Sequence, residues 1–379
     1  MSYIPVPAGP EELTPEWFTT VFRETAILTD GAVVRVQTDI IGQDTGFTGV
    51  IVRVQLQYAD HEGPAPFSVV VKLPTARRDI PSAYRTAQET DGTAQRRYVE
   101  RCAHEVAFYQ VVAPLSALPV PRLYYAMVDD AAGRVVLVLE DLHSARIGDA
   151  LHGCSPEDAR MVIEQLAQFH AQWWNHPRLE AFSWLSLWGG DSHAAQHRYV
   201  QCIKPFLHQF GQRVPESVQK MIEALTTNYG AVRTRLQQAP VTMIHGDLHL
   251  DNILFSESQH HSPLTLIDWQ GVARGRAVID VASFLFGSLD TTTRRAVEQN
   301  LLRRYYELLL AGGVTGYDFA QLLEDCRMVL LWHLGAQVVW RGSLDLEKLS
   351  GRERALVESL TEDDFTALLD YNAGSLLPL

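Results

Sequence analysis

The sequence has no apolar run long enough to cross a membrane and no excess of basic residues. A membrane-spanning helix needs about 18–20 consecutive apolar residues, and none of the 379 residues lies in such a run. Lysine and arginine number 32 against 45 aspartates and glutamates, a formal net charge of −13, whereas nucleic-acid-binding surfaces collect lysine and arginine. The sequence therefore predicts neither a membrane span nor a nucleic-acid partner.

Cysteine is also scarce. The four are widely spaced and form no Cys-x-x-Cys pair, at positions Cys102, Cys154, Cys202 and Cys326. This spacing indicates neither a zinc site nor a disulfide framework. The first residues lack the basic region and apolar run of a signal peptide, so we expect a cytoplasmic protein. No pattern indicates an oligomeric state.

What is present is the composition of a large globular protein, with 46% hydrophobic residues over a length that suggests two or more packed units. Strand-type alternation and helical periodicity predict a small antiparallel sheet with one helix in the first unit. Its strands are expected at Val33–Ile41, Val50–Tyr58, Phe67–Leu73, Leu118–Met127 and Arg134–Leu139, and its helix at Tyr98–Val112. A short helix over Glu11–Thr25, capped by Thr14 before Pro15, precedes them.

The pattern becomes mainly helical after Glu140-Asp141-Leu142. Ser155-Pro156 is a typical helix start, with a serine cap and proline at the first position. Short strands are expected only near Thr242–Ile244 and Leu264–Ile267. We predict an α+β fold of two lobes, with a nucleotide-binding lobe over 1–140 and a catalytic, acceptor-binding lobe over 141–379.

Two apolar strands each lead into acidic residues. The first enters the run His245-Gly246-Asp247-Leu248-His249-Leu250-Asp251-Asn252, and the second ends at Asp268. Phosphoryl transfer needs a carboxylate to orient the attacking hydroxyl and oxygen ligands to hold Mg²⁺ on the phosphates. Asp247 is the predicted catalytic base, and Asn252 and Asp268 are the predicted metal ligands.

Two other interpretations of this run are less favoured. Asp247 and Asn252 are residue types that often only form turns, but the later Asp268 completes the phosphoryl-transfer set. His245 and His249 are four residues apart, the spacing of some zinc sites, but the intervening Gly246 argues against the helix that such a site needs.

Lys72 lies in the otherwise apolar strand Val69-Val70-Val71-Lys72-Leu73. A buried ammonium is unfavourable unless it meets an anion, and nucleotide phosphates with one helix glutamate would supply it. Glu105 is the predicted partner and Glu100 the alternative, while an edge lysine that extends to water is a further possibility. Backbone groups of Glu140 and Leu142, in the predicted hinge, would contact the nucleotide base.

The run at Asp247, with Asp268 after it, resembles the aminoglycoside phosphotransferase and choline kinase superfamily. Gly246 stands where protein kinases have arginine. Three details resemble its ecdysteroid-kinase-like subgroup: Asp268-Trp269-Gln270, Val138-Leu139-Glu140-Asp141-Leu142, and the helix segment Glu105-x-x-Phe108-Tyr109. Ile279-Asp280-Val281-Ala282 matches the family segment whose aspartate is chiefly structural.

The resemblance implies a protein-kinase-like fold, ATP or possibly GTP, Mg²⁺, and phosphoryl transfer to a hydroxyl of a small molecule. Thr45, Gly46 and Thr48 of the glycine-rich turn would hold phosphate oxygens, although this turn reads Gly-x3-Gly-x2-Gly instead of the usual Gly-x-Gly-x-x-Gly. A protein kinase is disfavoured because no Ala-Pro-Glu segment follows Asp268. A nucleotide-binding pseudokinase is disfavoured because every catalytic position is filled.

The acceptor is expected to be a largely apolar alcohol or hydroxyacyl compound, with an aminoglycoside or choline-like amine as the alternative. The apolar segment Leu330–Trp340 either walls an acceptor pocket or belongs to the core. Acidic residues that an amine acceptor would need are found near the C-terminus, where a solvated helix end explains them as well: Glu353, Glu358, Glu362, Asp363 and Asp364.

Overall fold

The computed structural model describes residues 4–41, 50–73, 91–116, 118–256, 263–346, 349, 351–361 and 365–378, with the backbone alone at 91–95, 352, 353 and 356. Thr45, Gly46 and Thr48 of the predicted phosphate loop lie outside these residues, as do Glu362, Asp363 and Asp364 and the side chain of Glu353. The chain forms two compact units. The first comprises Met1–Leu115, Pro119–Ala145 and Leu266–Gln270, and the second comprises Ser116–Leu118, Arg146–Thr265 and Gly271–Leu379.

The first unit contains the predicted antiparallel sheet. Its strands lie in the order β1-β2-β3-β5-β4, and each neighbouring pair is antiparallel. The strands are β1 (Ala32–Ile41), β2 (Val50–Ala59), β3 (Ser68–Leu73), β4 (Leu123–Asp129) and β5 (Arg134–Glu140). In this register Lys72 lies opposite Ile51 on β2 and Leu137 on β5, so the sheet's inner strands surround the lysine.

The two faces of the sheet follow the alternation in the sequence. Val52, Val54 and Val71 are fully buried, and they pack in one apolar cluster with the first helix, α1 (Pro15–Glu24). Thr14 caps this helix as predicted, because its hydroxyl accepts the N–H of Trp17 at 3.2 Å. Lys72 falls out of phase with these valines and lies on the other face of the sheet.

The largest boundary differences from the prediction in the first unit concern the helix α2 and the strand β4. The helix α2 (Asp91–Ala107) starts seven residues before Tyr98 and continues in a π-helical turn, Phe108–Val112. The strand β4 starts at Leu123 instead of Leu118, because Pro119 and Pro121 lack the N–H groups that a ladder requires.

The second unit is mainly helical, as expected. Ser155 caps the helix that follows it by accepting the N–H of Asp158 at 3.1 Å. The helices α5, α6 and α9 pack on one another, and α3 packs on α8. The helices are α3 (Pro156–Trp173), α4 (Arg178–Ala181), α5 (Ser192–Phe210), α6 (Glu216–Leu236), α7 (Val278–Ser288), α8 (Thr291–Ala311), α9 (Phe319–Gly342), α10 (Gly351–Glu358) and α11 (Thr366–Asp370).

Short strands frame the run that contains Asp247. The strand β7 (Thr242–Ile244) precedes it and pairs with β10 (Ala273–Gly275), while β8 (Ile253–Phe255) follows it and lies between β6 (Arg146–Ile147) and β9 (Leu264–Leu266). The sequence predicted β7 and β9 but not the other three. None of the described helices combines the length and apolarity that crossing a bilayer requires.

Candidate active site

The ammonium of Lys72 is shared between two carboxylates of the first unit. Its Nζ donates to Glu105 Oε2 and to Asp268 Oδ1, at 2.7 Å in both cases. The Lys72 side chain is 12% exposed and that of Glu105 only 2%. The structure therefore pairs Lys72 with Glu105, whereas the alternative Glu100 is exposed, and the water-exposed lysine is ruled out.

These contacts keep Lys72 charged. Burial acts against the ammonium form, but the charges of Asp268 and Glu105 outweigh it and raise the pKa of Lys72 well above its ordinary value. Burial in turn raises the pKa of Glu105, and the ammonium opposes that change. The result is a fixed positive charge, held at the middle of the sheet, of the kind that binds phosphate.

Asp268 is positioned by backbone geometry and by the residue after it. Its φ of 62° lies in the left-handed region, which is uncommon outside glycine. The next residue, Trp269, donates its backbone N–H to Glu105 Oε1 at 3.3 Å. Its indole is fully buried and stacks on Phe108 with ring centroids 3.8 Å apart. The backbone turn at Asp268 is therefore held against α2, the helix that carries Glu105.

The Asp247 loop is built within the second unit. The Asp247 residue is exposed, and its backbone carbonyl accepts Asn252 Nδ2 at 3.0 Å. The same Nδ2 lies 3.1 Å from His249 Nε2, which fixes the orientation of the buried Asn252 amide. Because the nitrogen is used inside the loop, the Asn252 carbonyl oxygen is the atom available as a metal ligand.

Gly246 makes this loop possible. Its φ is +77°, and a Cβ at this position would overlap the carbonyl oxygen of Gly271. Asp280, which is 1% exposed, accepts the N–H of His245 at 2.7 Å and the N–H of Gly246 at 2.9 Å. The arginine that protein kinases carry at position 246 could not be accommodated with this backbone.

A buried polar network extends from Asp280. His170 Nε2 lies 3.3 Å from Asp280 Oδ2, and its Nδ1 lies 2.8 Å from the hydroxyl of Tyr305. His170 and Tyr305 are both fully buried. Neither residue was predicted from the sequence, since a single histidine or tyrosine on an apolar helix face gives no signal. The network supports the role of Asp280 as an anchor of the Asp247 loop.

The predicted hinge contains an unexpected ion pair. Asp141 Oδ2 accepts Arg53 Nε at 2.9 Å and Ser68 Oγ at 2.5 Å. Its neighbours Glu140 and Leu142 use backbone groups locally: the Glu140 N–H donates to Arg122, and the Leu142 carbonyl accepts from Ala145. The hinge is thus fixed to β2 and β3 through the side chain of Asp141, which was not among the predicted site residues.

The zinc interpretation finds no support in the described part of the chain. There, no group of three or more histidine, cysteine, aspartate or glutamate side chains is arranged to hold a metal ion. His245 instead lies fully buried beside Asp280. The donors at Asn252 and Asp268 are oxygen atoms, which suit a hard cation such as Mg²⁺.

Comparison with known proteins identifies the family. The chain matches the model of the ecdysteroid kinase-like family over residues 43–312. An uncharacterised kinase-like protein of Caenorhabditis elegans is 23% identical over 273 residues, which cover 68% of this chain and 69% of that protein.

Solved structures share the fold at low sequence identity. A proposed aminoglycoside phosphotransferase of Ralstonia eutropha JMP134 is 14% identical with a TM-score of 0.53, over 96% of this chain and 98% of that one. Plasmodium vivax ethanolamine kinase is 11% identical with a TM-score of 0.52, over 89% and 83%. These likenesses confirm the two-lobed kinase-like α+β fold.

The family match covers well over half of the sequence, and the chain belongs to the ecdysteroid kinase-like family. Its place is therefore among the small-molecule phosphotransferases with a kinase-like fold. Because the two structural relatives are named for different acceptors, the fold alone does not decide which acceptor this chain uses.

Proposed function

We propose that this protein transfers the γ-phosphoryl group of ATP, with Mg²⁺, to a hydroxyl of a small and largely apolar alcohol or hydroxyacyl compound. GTP is the alternative donor. The observation that carries the proposal is the Lys72 ammonium held at 2.7 Å by both Glu105 and Asp268. A buried lysine between a helix glutamate and the aspartate that follows a short strand, here Asp268 after β9, is the arrangement that phosphoryl transfer uses.

Each residue of the first unit then has a defined task. Lys72 would bind the α- and β-phosphates, and Glu105 would hold it in place. Asp268 would bind Mg²⁺ through a carboxylate oxygen, in the position that the left-handed turn and the Trp269 stack determine. Backbone groups of Glu140 and Leu142 would contact the base, and Thr45, Gly46 and Thr48 remain sequence-based candidates for the phosphates.

The second unit would supply the chemistry at the acceptor. Asp247 is exposed, as a residue that meets substrate must be, and it would orient the acceptor hydroxyl and receive its proton. Asn252 would add its carbonyl oxygen to the coordination of Mg²⁺. When bound, Mg²⁺ would neutralise phosphate charge during transfer. Asp280 would keep Asp247 in place by holding the preceding backbone.

Thermal unfolding tests the proposal. ATP with Mg²⁺ should raise the melting temperature, because a ligand that binds only the folded state stabilises it by about 2.7 kcal/mol at a hundred times its dissociation constant. EDTA and Asp268→Ala should each remove most of the shift, whereas Asp130→Ala, at an exposed position of the same unit, should keep it. Identical melting curves with and without Mg²⁺–ATP and Mg²⁺–GTP would contradict the proposal.

A further inference from the structure

The strand β1 forms one edge of the sheet in the first unit. It has ten residues, and among the described strands it pairs only with β2. Its side chains Val34 and Ile40 are apolar, yet they are 54% and 49% exposed. The strand contains neither proline nor lysine, the residues that commonly protect an edge from further pairing. At the other edge, on β4, the Ala126 carbonyl already accepts Gln110 Nε2 at 3.3 Å.

The backbone groups that β1 directs away from the sheet are those of Val36, Thr38 and Ile40. On β2, the Leu56 N–H donates to the Phe67 carbonyl at 2.8 Å, on the side of β3, and Leu56 lies opposite Val36. In an antiparallel ladder, Val36 must then direct its own N–H and C=O away from β2. Thr38 and Ile40 follow at the strand period of two. Such a row of outward N–H and C=O groups is a template for another strand.

The residues that alternate with this row carry two opposite charges. Arg35 and Asp39 lie two residues to either side of Gln37, on one face of the strand. Both are exposed, and neither forms an ion pair within the part of the chain that the structure describes. The residue opposite Asp39 on β2 is Arg53, but its Nε is bound to Asp141 at 2.9 Å. The edge therefore presents a cation and an anion whose charges are not matched within the sheet.

These charges are complementary to those of a second copy of the same strand. In an antiparallel pairing with Gln37 opposite Gln37, Arg35 of each copy lies opposite Asp39 of the other. Side chains of unlike charge stabilise an antiparallel pair when they lie directly opposite each other, and those of like charge destabilise it. A parallel pairing in register would place arginine opposite arginine and aspartate opposite aspartate. Charge therefore favours the antiparallel arrangement.

The same register satisfies the backbone and the exposed apolar side chains. Val36 of one copy lies opposite Thr38 of the other, so the outward N–H and C=O groups of these residues bond to each other. Val34, at the bulge near the start of β1, comes beside Ile40 of the other copy, and the contact removes apolar surface of both from water. Charge, hydrogen bonding and apolar burial thus agree on one register.

We propose that the protein forms a two-fold symmetric dimer in which the β1 edges of two copies pair antiparallel, centred on Gln37. The sheets of the two copies then form one continuous sheet. The same surface serves both copies, as in most symmetric dimers. Because the contact is one strand wide, the interface is small and the dimer dissociates readily. The inference goes beyond the proposed function and uses none of the candidate active-site residues.

Charge reversal tests the pairing, with sedimentation velocity of the whole protein from about 1 µM to 1 mM, the range of weak association. The wild type should shift from a 42.5 kDa species to one of twice that mass. Arg35→Asp and Asp39→Arg should each weaken dimerisation about tenfold or more, because each places like charges opposite each other twice. An equimolar mixture of the two variants should recover the dimer, since every contact between unlike variants joins opposite charges. Asp130→Arg, at an exposed position in the turn between β4 and β5, is the control and should dimerise as the wild type does.

Thr38→Pro tests the backbone pairing. It removes an N–H that faces away from the sheet, so the ladder with β2 remains and the melting temperature should stay close to that of the wild type. Dimerisation should be lost, whereas Thr38→Val, which keeps the N–H, should retain it. In amide hydrogen exchange, protection of Val36, Thr38 and Ile40 should rise with the concentration of the wild-type protein.

A wild-type protein that stays monomeric over the whole concentration range would overturn the inference. So would a dimer that persists in both charge variants and in Thr38→Pro, because another surface would then hold it together. A mixture of the two charge variants that stays monomeric, although melting curves show both to be folded, would contradict the register. Protection of the Val36, Thr38 and Ile40 amides that does not depend on concentration would show that another segment of the same chain covers the edge, and it would equally overturn the inference.

Discussion

The indole of Trp269 lies flat on the ring of Phe108, with the planes inclined by only 8° and the centroids 3.8 Å apart. Trp269 follows Asp268 directly, and Phe108 follows the helix α2 that bears Glu105. The stack therefore connects the two carboxylates that share Lys72. The packing of two apolar rings, and not only charge, determines where the predicted metal ligand lies.

Phe108→Ala should lower the free energy of unfolding by about 3–5 kcal/mol, as large-to-small changes in a core do. It should also reduce the thermal shift produced by Mg²⁺–ATP, since Trp269 would no longer be fixed beside Asp268. Phe286→Ala removes a half-buried ring that packs on Tyr371 in the second unit and should leave the nucleotide shift intact. A destabilised Phe108→Ala protein with a full nucleotide shift would show that the stack does not position Asp268.

Glu105→Gln should destabilise the protein by about 1.5–3 kcal/mol, because Lys72 loses one charged hydrogen-bond partner but keeps Asp268. Chemical denaturation measures the loss. Glu100→Gln is the matched control on the same helix: Glu100 is exposed, and its substitution should change stability by no more than about 0.5 kcal/mol.

Lys72→Met should abolish nucleotide binding, and retention of the wild-type nucleotide affinity by this variant would exclude Lys72 as the phosphate ligand.

Asp247→Asn should lower turnover by about 10²–10⁴-fold, the typical effect of losing a general base. The Mg²⁺–ATP thermal shift should remain, since Asp247 is not a proposed nucleotide ligand. The acceptor for this assay is identified by mass spectrometry of a metabolite extract incubated with the protein and labelled ATP. Wild-type turnover by the Asn variant would place the base elsewhere.

Asp280→Asn should reduce turnover more than it reduces nucleotide binding. The amide that replaces one carboxylate oxygen turns a donor towards the backbone N–H of His245 or Gly246, and an unsatisfied buried group costs about 1–3 kcal/mol. Tyr305→Phe removes only the outer hydrogen bond to His170, so a smaller loss of about 1 kcal/mol is expected. Steady-state kinetics measures the loss of turnover, and calorimetry measures the loss of unfolding free energy. Equal losses in Asp280→Asn and Tyr305→Phe would contradict this order.

The cysteines should react slowly with a thiol reagent at pH 8. Burial raises the pKa of Cys102 and of Cys154 to about 12, and it also raises the pKa of Cys202 and Cys326. The thiolate is the reactive form and is present only near or above the pKa. All four thiols should react at once after unfolding in denaturant. Fast labelling of Cys102 in the native protein would contradict its burial.

The sequence was sufficient to predict the fold class and the main chemical groups. Alternation located β1 and β2, an apolar run located β3, and the capping residues Thr14 and Ser155 located two helix starts. The pairing of Lys72 with Glu105 was also predicted, since a lysine in an apolar strand needs a carboxylate. The division at residue 141, the role of the hinge and the phosphate loop remain predictions.

Other features could not be read from local patterns. The strands β6, β8 and β10 have only two or three residues, too few for a periodicity to be recognised. The pairing of Asp141 with Arg53 joins positions 88 residues apart, and the second contact of Lys72, with Asp268, joins positions 196 residues apart. No local preference encodes such pairs.

The sequence by itself therefore determined which chemical groups are present and which local elements carry them, because cap residues, strand alternation and the spacing of Asp247 and Asn252 act over a few residues. Only the tertiary structure decided which of these groups meet. The Trp188–Trp332 contact and the Asp280–His170 contact arise from the packing of helices and short strands distant in the chain. Burial then gives those contacts their strength, since charges and polar groups removed from water must find partners within the protein.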